Sequence, residues 1–254
     1  MSRHLLVIGA QRSGTTYLHS LLDAHPQITM ARPARPEPKV FLSPELAALG
    51  PEWYRSTYFA HATTELVLGE KSTSYIEAPL AAARAREVLG EVDVVAVLRD
   101  PVQRAVSNWR FSTDNGFETR PLEQALRENL DGSSGWDSGA TSVSPYAYLE
   151  RGRYTSYLDA WWAVFHDSVH VVLLPELLDA PTTLGDLYAT LGVDPTFRPA
   201  DRRKIVNQSK EPAPALSQEL GALLVDYFAA SNAALSRRLG RPLPWFETPI
   251  RSRT

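Results

Sequence analysis

Cysteine is absent from this 254-residue chain, which excludes a disulfide framework and any thiolate metal site and leaves the redox state of its compartment unread. An excess of charge of one sign is also missing. Lys and Arg number 26 against 29 Asp and Glu, a net charge of -3, so bulk affinity for nucleic acid or an acidic polysaccharide is not expected and any anion site must be local. No apolar run approaches the roughly 20 residues of a membrane span. The start, Met1-Ser2-Arg3-His4, leads straight into an apolar strand and leaves no room for a signal peptide. The expectation is a cytoplasmic protein without a membrane partner. With 44% hydrophobic and 22% charged residues the length suits one sizeable core, and a single domain over 1–254 is expected.

What is present has a βαβ rhythm, without internal repeats. Strands are expected over Leu5 to Gly9, Leu66 to Glu70, Val92 to Leu98 and Val169 to Leu174. The last two are nearly continuous in apolar residues, as in a parallel sheet covered on both faces. Helices are expected over Thr15 to Ala24, Pro79 to Leu89, Pro101 to Ser112, Leu122 to Leu130, Thr155 to Phe165, Thr182 to Leu191 and Ser217 to Leu239. Pro101 and Pro181 lie near helix starts, where proline is tolerated. The last helix has an apolar face that packs either on the sheet or on a second copy, as a homodimer. The proline-rich stretch 26–38 and the Gly/Ser-rich stretch 131–145 carry no pattern, and long irregular loops of this kind are often functional.

The first strand runs into Gly9-Ala10-Gln11-Arg12-Ser13-Gly14-Thr15-Thr16. This has the glycine spacing of the phosphate-binding loop G-x-x-x-x-G-K-[ST], in which backbone N–H groups wrap phosphate, lysine reaches the outer phosphates and the last hydroxyl holds magnesium. The lysine is missing. Thr15 takes its place and the cation stands earlier, as Arg12, whose fork of N–H donors suits phosphate-type oxygens. The change argues against triphosphate hydrolysis and for another phosphorylated donor, on an α/β, P-loop-like fold of three layers with a central parallel sheet flanked by helices. Further on, the buried strand Val94 to Leu98 delivers Arg99 to its C-terminal end, and the helix after Asp100-Pro101 carries Ser107 two turns in. In an open parallel sheet that edge binds ligands. Arg99 and Ser107 either converge on one anion, or Arg99 pairs with a carboxylate such as Asp100 and Ser107 is an ordinary surface residue.

Together these segments are similar to those of sulfotransferases that use 3′-phosphoadenosine 5′-phosphosulfate (PAPS). The loop 9–16 resembles their 5′-phosphosulfate loop, and Val97-Leu98-Arg99-Asp100-Pro101 with Ser107 resembles their 3′-phosphate strand and helix. Between them, Glu70-Lys71-Ser72-Thr73-Ser74-Tyr75 resembles the Glu-Lys-[Ser/Thr]-Pro-x-Tyr segment of the heparan-sulfate-type and related bacterial branch. The likeness covers roughly the first 110 residues well. Beyond it, Leu173 to Leu191 is similar to the family's fourth strand and following helix, and Asn207-Gln208-Ser209-Lys210 to a lysine-containing loop over the cofactor, without its glycine-rich continuation.

The resemblance implies PAPS as donor, adenosine 3′,5′-bisphosphate as product and no metal. Arg12 then stands where the family has a lysine on the transferring sulfonate. It keeps the charge, but arginine is no proton donor. Ser13, Gly14, Thr15 and Thr16 would bind the 5′-phosphosulfate, Arg99 and Ser107 the 3′-phosphate, and Lys210 would close over the cofactor. The base must be a carboxylate or histidine near the loop. Arg35-Pro36-Glu37-Pro38-Lys39-Val40-Phe41 resembles the Glu-Pro-x-x-Phe motif that supplies it, which makes Glu37 the candidate, with Lys71 beside the sulfonate and Lys39 where that branch often has a histidine. His19 and His25 are the competing bases. The alternative reading makes Glu37 a solvated loop residue and Lys71 a partner of Glu70 alone.

The expected acceptor is a small molecule or glycoside that receives the sulfonate on a hydroxyl, with an amine as the lesser alternative. Trp53, Tyr54, Tyr58 and Phe59, with Trp136, Tyr146 and Tyr148 around the Gly/Ser-rich stretch, either line an apolar acceptor pocket or pack the core. Two rivals stand: a P-loop kinase, which needs a lysine before Thr16 and an acidic magnesium ligand after a strand, and a nucleotide-binding module without catalysis.

Overall fold

A computed structural model describes residues 2–132, 147–179, 181–200 and 214–245. In chain order the elements are β1 (Arg3–Gly9), α1 (Thr15–Asp23), β2 (Ile28–Met30), α2 (Pro44–Ala47), α3 (Gly50–Tyr58), β3 (Val67–Lys71), α4 (Pro79–Leu89) and β4 (Val92–Leu98). Then follow α5 (Pro101–Asp114), α6 (Leu122–Leu130), α7 (Tyr154–Phe165), β5 (Val169–Leu173), α8 (Leu174–Asp179), α9 (Pro181–Thr190) and α10 (Gln218–Leu239). The chain divides into two compact units, Met1–Leu98 with Tyr157–Asn207 and Arg99–Ser156 with Gln208–Thr254. Among the described residues no helix is long and apolar enough to cross a membrane.

The first unit is built on a parallel five-stranded sheet in the order β2-β3-β1-β4-β5. The four expected strands are there, and β2 is a correction: Ile28-Thr29-Met30 lies inside the stretch that carried no pattern. Three residues are too few to show a period, and β2 is set by its pairing with Val67, Leu68 and Gly69 and by the burial of Ile28 and Met30 in the core. The continuous apolar runs are the central strands. Every residue of β4 is buried, because helices cover both faces and neither face can be polar. Leu5 and Val7 of β1, Leu18 and Leu22 of α1, Val95 and Val97 of β4, and Leu184 and Tyr188 of α9 form one cluster. Each such buried side chain contributes on the order of 1.5–3 kcal/mol.

Three further helices escaped the sequence pattern. α2 starts at Ser43, whose hydroxyl accepts from the Leu46 N–H, with Pro44 at the first helical position. α3 buries only Tyr54, so it presents almost no apolar stripe. α8 begins at Leu174, which was expected to end the preceding strand, with Pro175 early in the helix.

In the second unit, Asp100 caps α5 by accepting from the Val102 N–H at 2.8 Å, with Pro101 at the first position. Ser217 caps α10, which Gly240 ends in the left-handed region at φ 65°. The apolar face of α10, Leu220, Leu224 and Phe228, packs with Ala105, Leu122 and Leu126, so within the unit it finds α5 and α6.

His4 of β1 supplies a pH prediction. Its ring lies 5.8 Å from Tyr54 and 6.1 Å from Phe59. Burial, then the nearby Arg55, pushes its pKa from 6.5 down to about 4. Between those values the unfolded chain binds a proton that the folded chain refuses, so stability is expected to fall as pH drops through that window, by at most about 3 kcal/mol. Urea unfolding of wild type and His4→Phe at several pH values checks this. A flatter profile in the variant is the expected result; equal slopes would place the acid loss elsewhere.

Candidate active site

The loop after β1 is fixed at both ends. The Ala10 N–H donates to Val97 O at 2.8 Å, tying it to β4, and the Ser13 N–H donates back to Ala10 O at 3.2 Å. Arg12 lies in the left-handed region at φ 64°, an uncommon conformation for a residue with a Cβ and one that clusters at functional sites. Gly14 is required. It is the N-cap of α1 at φ 90°, and a Cβ there would stand 2.6 Å from Leu174 Cδ1. α1 starts with no side-chain cap and no acidic residue in its first turn, so its positive end is left to an outside anion. The Ser13 hydroxyl is buried and has no hydrogen-bond partner among the described residues. An uncapped helix start, a close-packed glycine and an orphan buried donor fit a phosphosulfate group.

The end of β3 brings in the second part. Leu6 lies opposite Glu70 and Val7 opposite Lys71, so Lys71 reaches the sheet edge from which the loop leaves. Successive strand residues point to opposite faces, and the two side chains part company. Lys71 pairs with Glu37, both side chains mostly buried, and the reading in which it serves Glu70 alone is corrected. Glu37 also accepts from the Thr73 N–H at 2.9 Å and the Thr73 hydroxyl at 3.0 Å. It is therefore no solvated loop residue. Thr73 was not singled out in sequence, although it stands where the resembled segment has proline, which has no N–H to give.

Glu70 turns inward. It is fully buried and accepts from Tyr54 OH at 2.6 Å and Ser72 Oγ at 2.5 Å. Burial pushes its pKa up, while hydrogen bonds from Ser72, Tyr54 and Tyr75 oppose that. Tyr54 and Phe59 are thus core residues. Tyr148, also buried, donates its OH to Glu118 at 3.0 Å within the second unit. Trp136, Tyr146 and Lys210 lie outside the described residues.

Of the histidines, His25 is buried, accepts the Gln27 N–H at Nδ1 and has Nε2 3.1 Å from Asp194 O. Both ring nitrogens are engaged in packing α1 to the chain after α9. His19 differs. Burial lowers its pKa, and the charges of Asp23, Lys71, Arg32 and Glu37 all act on it, which puts it within electrostatic reach of the Glu37 pair. Arg99 follows the last residue of β4 and donates to Gln103 Oε1 at 3.1 Å, while its carbonyl accepts from Tyr154 OH at 2.8 Å. Asp100, the alternative partner for Arg99, caps α5 and also feels the Arg99 charge. Ser107 lies on α5. Among the described residues no group of three or more His, Asp or Glu side chains gathers as a metal site.

Known proteins resemble this chain in sequence and fold. A bifunctional heparan sulfate N-deacetylase/N-sulfotransferase 1 of Caenorhabditis briggsae is 29% identical over 98% of this chain and 32% of its own length. The human protein of that name is 25% identical over 98% of this chain and 31% of its own. This chain spans about a third of the length of those relatives. A solved sulfotransferase from Alicyclobacillus acidocaldarius superposes with a TM-score of 0.78 over 98% of this chain and all of its own, at 22% identity. A mouse sulfotransferase solved in complex with PAP gives a TM-score of 0.56 over 94% of this chain and 87% of its own, at 13% identity. The fold is theirs. The sulfotransferase domain family matches residues 2–174, and the chain belongs to that family.

Proposed function

We propose that the protein is a PAPS-dependent sulfotransferase, with both units in one catalytic domain, acting on a hydroxyl of a small molecule or glycoside. The observation that carries this is the Glu37–Lys71 pair beside the end of β3, one strand over from a phosphate-type loop without its lysine. PAPS, when bound, supplies a sulfonate activated by its anhydride link to phosphate. Ser13, Gly14, Thr15 and Thr16 hold the 5′-phosphosulfate through N–H and hydroxyl donors at the start of α1. Arg12 and Lys71 place positive charge where negative charge develops. Glu37 takes the proton of the acceptor, and Thr73 and Lys71 orient the carboxylate that does so. Arg99 and Ser107 take the 3′-phosphate, the group that separates this donor from ATP, and Lys210 is proposed to close over it.

An amine acceptor is the second reading, favoured by the N-sulfotransferase names of the relatives. A cytoplasmic location is likewise proposed. The test is calorimetric titration with adenosine 3′,5′-bisphosphate against ADP and ATP with magnesium, on wild type and Arg99→Ala, followed by a PAPS screen of hydroxyl and amine acceptors. Selective binding of the bisphosphate that weakens at least tenfold in the variant is expected. Preference for ATP with magnesium, or indifference to Arg99, would sink the donor assignment.

A further inference from the structure

Glu70 is the buried acid that the chemistry above leaves without a task. The hydroxyls of Tyr54 and Ser72 donate to it at 2.6 Å and 2.5 Å, and the Tyr75 hydroxyl is close enough to act on it. Ser72 and Tyr75 each also hold a backbone N–H. Ser72 Oγ accepts the Lys39 N–H at 2.9 Å, and Tyr75 OH accepts the Phe41 N–H at 3.2 Å. Lys39 and Phe41 follow Glu37 by two and four residues, and Lys39 itself turns through the left-handed region at φ 53°. Arg84 fixes the same turn from the other side by donating to Phe41 O at 3.1 Å and Leu42 O at 3.0 Å.

The direction of these bonds depends on Glu70. A hydroxyl that gives its proton to a carboxylate keeps its lone pairs for an N–H, and an acceptor-only carboxylate can receive several such donors at once. Such chains polarise one another and strengthen. A side chain that donated to Ser72 would compete with the Lys39 N–H for the lone pairs of the hydroxyl and weaken the link.

We propose that Glu70 is a positioning residue, which through Ser72 and Tyr75 fixes the backbone after Glu37 and thereby holds the base against Lys71 and Thr73. The inference rests on Glu37 being the base. It separates two neighbours in one motif: Lys71 touches the base directly, and Glu70 acts through the main chain of residues 39–41.

The test is residue-resolved amide hydrogen exchange together with turnover of PAPS on an acceptor from the screen. In Ser72→Ala the Lys39 amide is expected to lose about tenfold in protection, the worth of one hydrogen bond, while Phe41 keeps its own. In Tyr75→Phe the loss moves to Phe41. Glu70→Gln keeps one acceptor oxygen and puts an amide in place of the other; with the amide toward Ser72 it is expected to lower Lys39 protection and to lower turnover about tenfold, with unchanged affinity for adenosine 3′,5′-bisphosphate. Ser72→Thr, which restores the hydroxyl, is expected to restore protection. Should Glu70→Gln fail to fold, the Ser72 and Tyr75 variants carry the test alone. Exchange and turnover unchanged in all three, or a uniform loss of protection across the sheet, would overturn the proposal. Wild-type turnover in Glu37→Gln with the site-selective exchange pattern intact would instead remove the base assignment and, with it, the catalytic purpose of the network.

Discussion

Glu37→Gln is expected to lower sulfonate transfer by about 10²–10⁴-fold, the usual contribution of a positioned general base, with affinity for adenosine 3′,5′-bisphosphate unchanged. Gln is near the size of Glu and can still accept from Thr73, so the loop keeps much of its support. What is lost is the ability to take the acceptor's proton. Initial rates with PAPS at saturating acceptor, beside calorimetry on the same preparation, separate the two quantities. A kcat within a few-fold of wild type would show that Glu37 is not the base and move attention to His19, which feels the charges of both Glu37 and Lys71.

Arg12→Ala is expected to cost about 3 to 4 kcal/mol of barrier, or 10²–10³-fold in kcat, if it removes a donor comparable to one of an oxyanion hole. Arg12→Lys should recover most of that, because it returns a cation to the loop, although a point charge replaces a planar fork. The comparison is clean. Arg, Ala and Lys all carry a Cβ, so all three pay the same backbone cost at φ 64°, and thermal unfolding should separate none of them strongly. Equal rates in wild type and Arg12→Ala would mean that the positive charge at the transferring group comes from Lys71 and elsewhere.

How far the sequence could be read depended on the length and chemistry of each signal. β1 and β4 were legible because a strand covered on both faces must be apolar throughout, as Leu5 to Ile8 and Val94 to Leu98 are. β2, three residues beside a proline-rich stretch, was not, because its existence depends on β3 as a neighbour. The helix starts at Pro79 and Pro101 were legible from proline at the first position, whereas α3 was hidden because it buries one residue. The candidate site divides in the same way. The glycine spacing of the loop around Arg12 and Gly14, the motif around Lys71 and the segment Arg35 to Phe41 that carries Glu37 all stand in the sequence.

Pairing is what no motif contained. Glu70 and Lys71 are neighbours of opposite charge, and in sequence they look like each other's partners. The alternation of a strand sends them to opposite sides, so Lys71 meets a carboxylate 34 residues away and Glu70 meets the hydroxyls of Tyr54 and Ser72. Tyr54 and Phe59 looked equally suited to a pocket or a core, and only burial assigned them. The sequence by itself determined the βαβ order, the phosphate-type loop and its shifted cation, since these rest on local backbone requirements and contiguous residue types. Tertiary structure alone decided which carboxylate is held at the sheet edge and which is sealed beneath it, because that depends on strand register and on side chains brought together from distant parts of the chain.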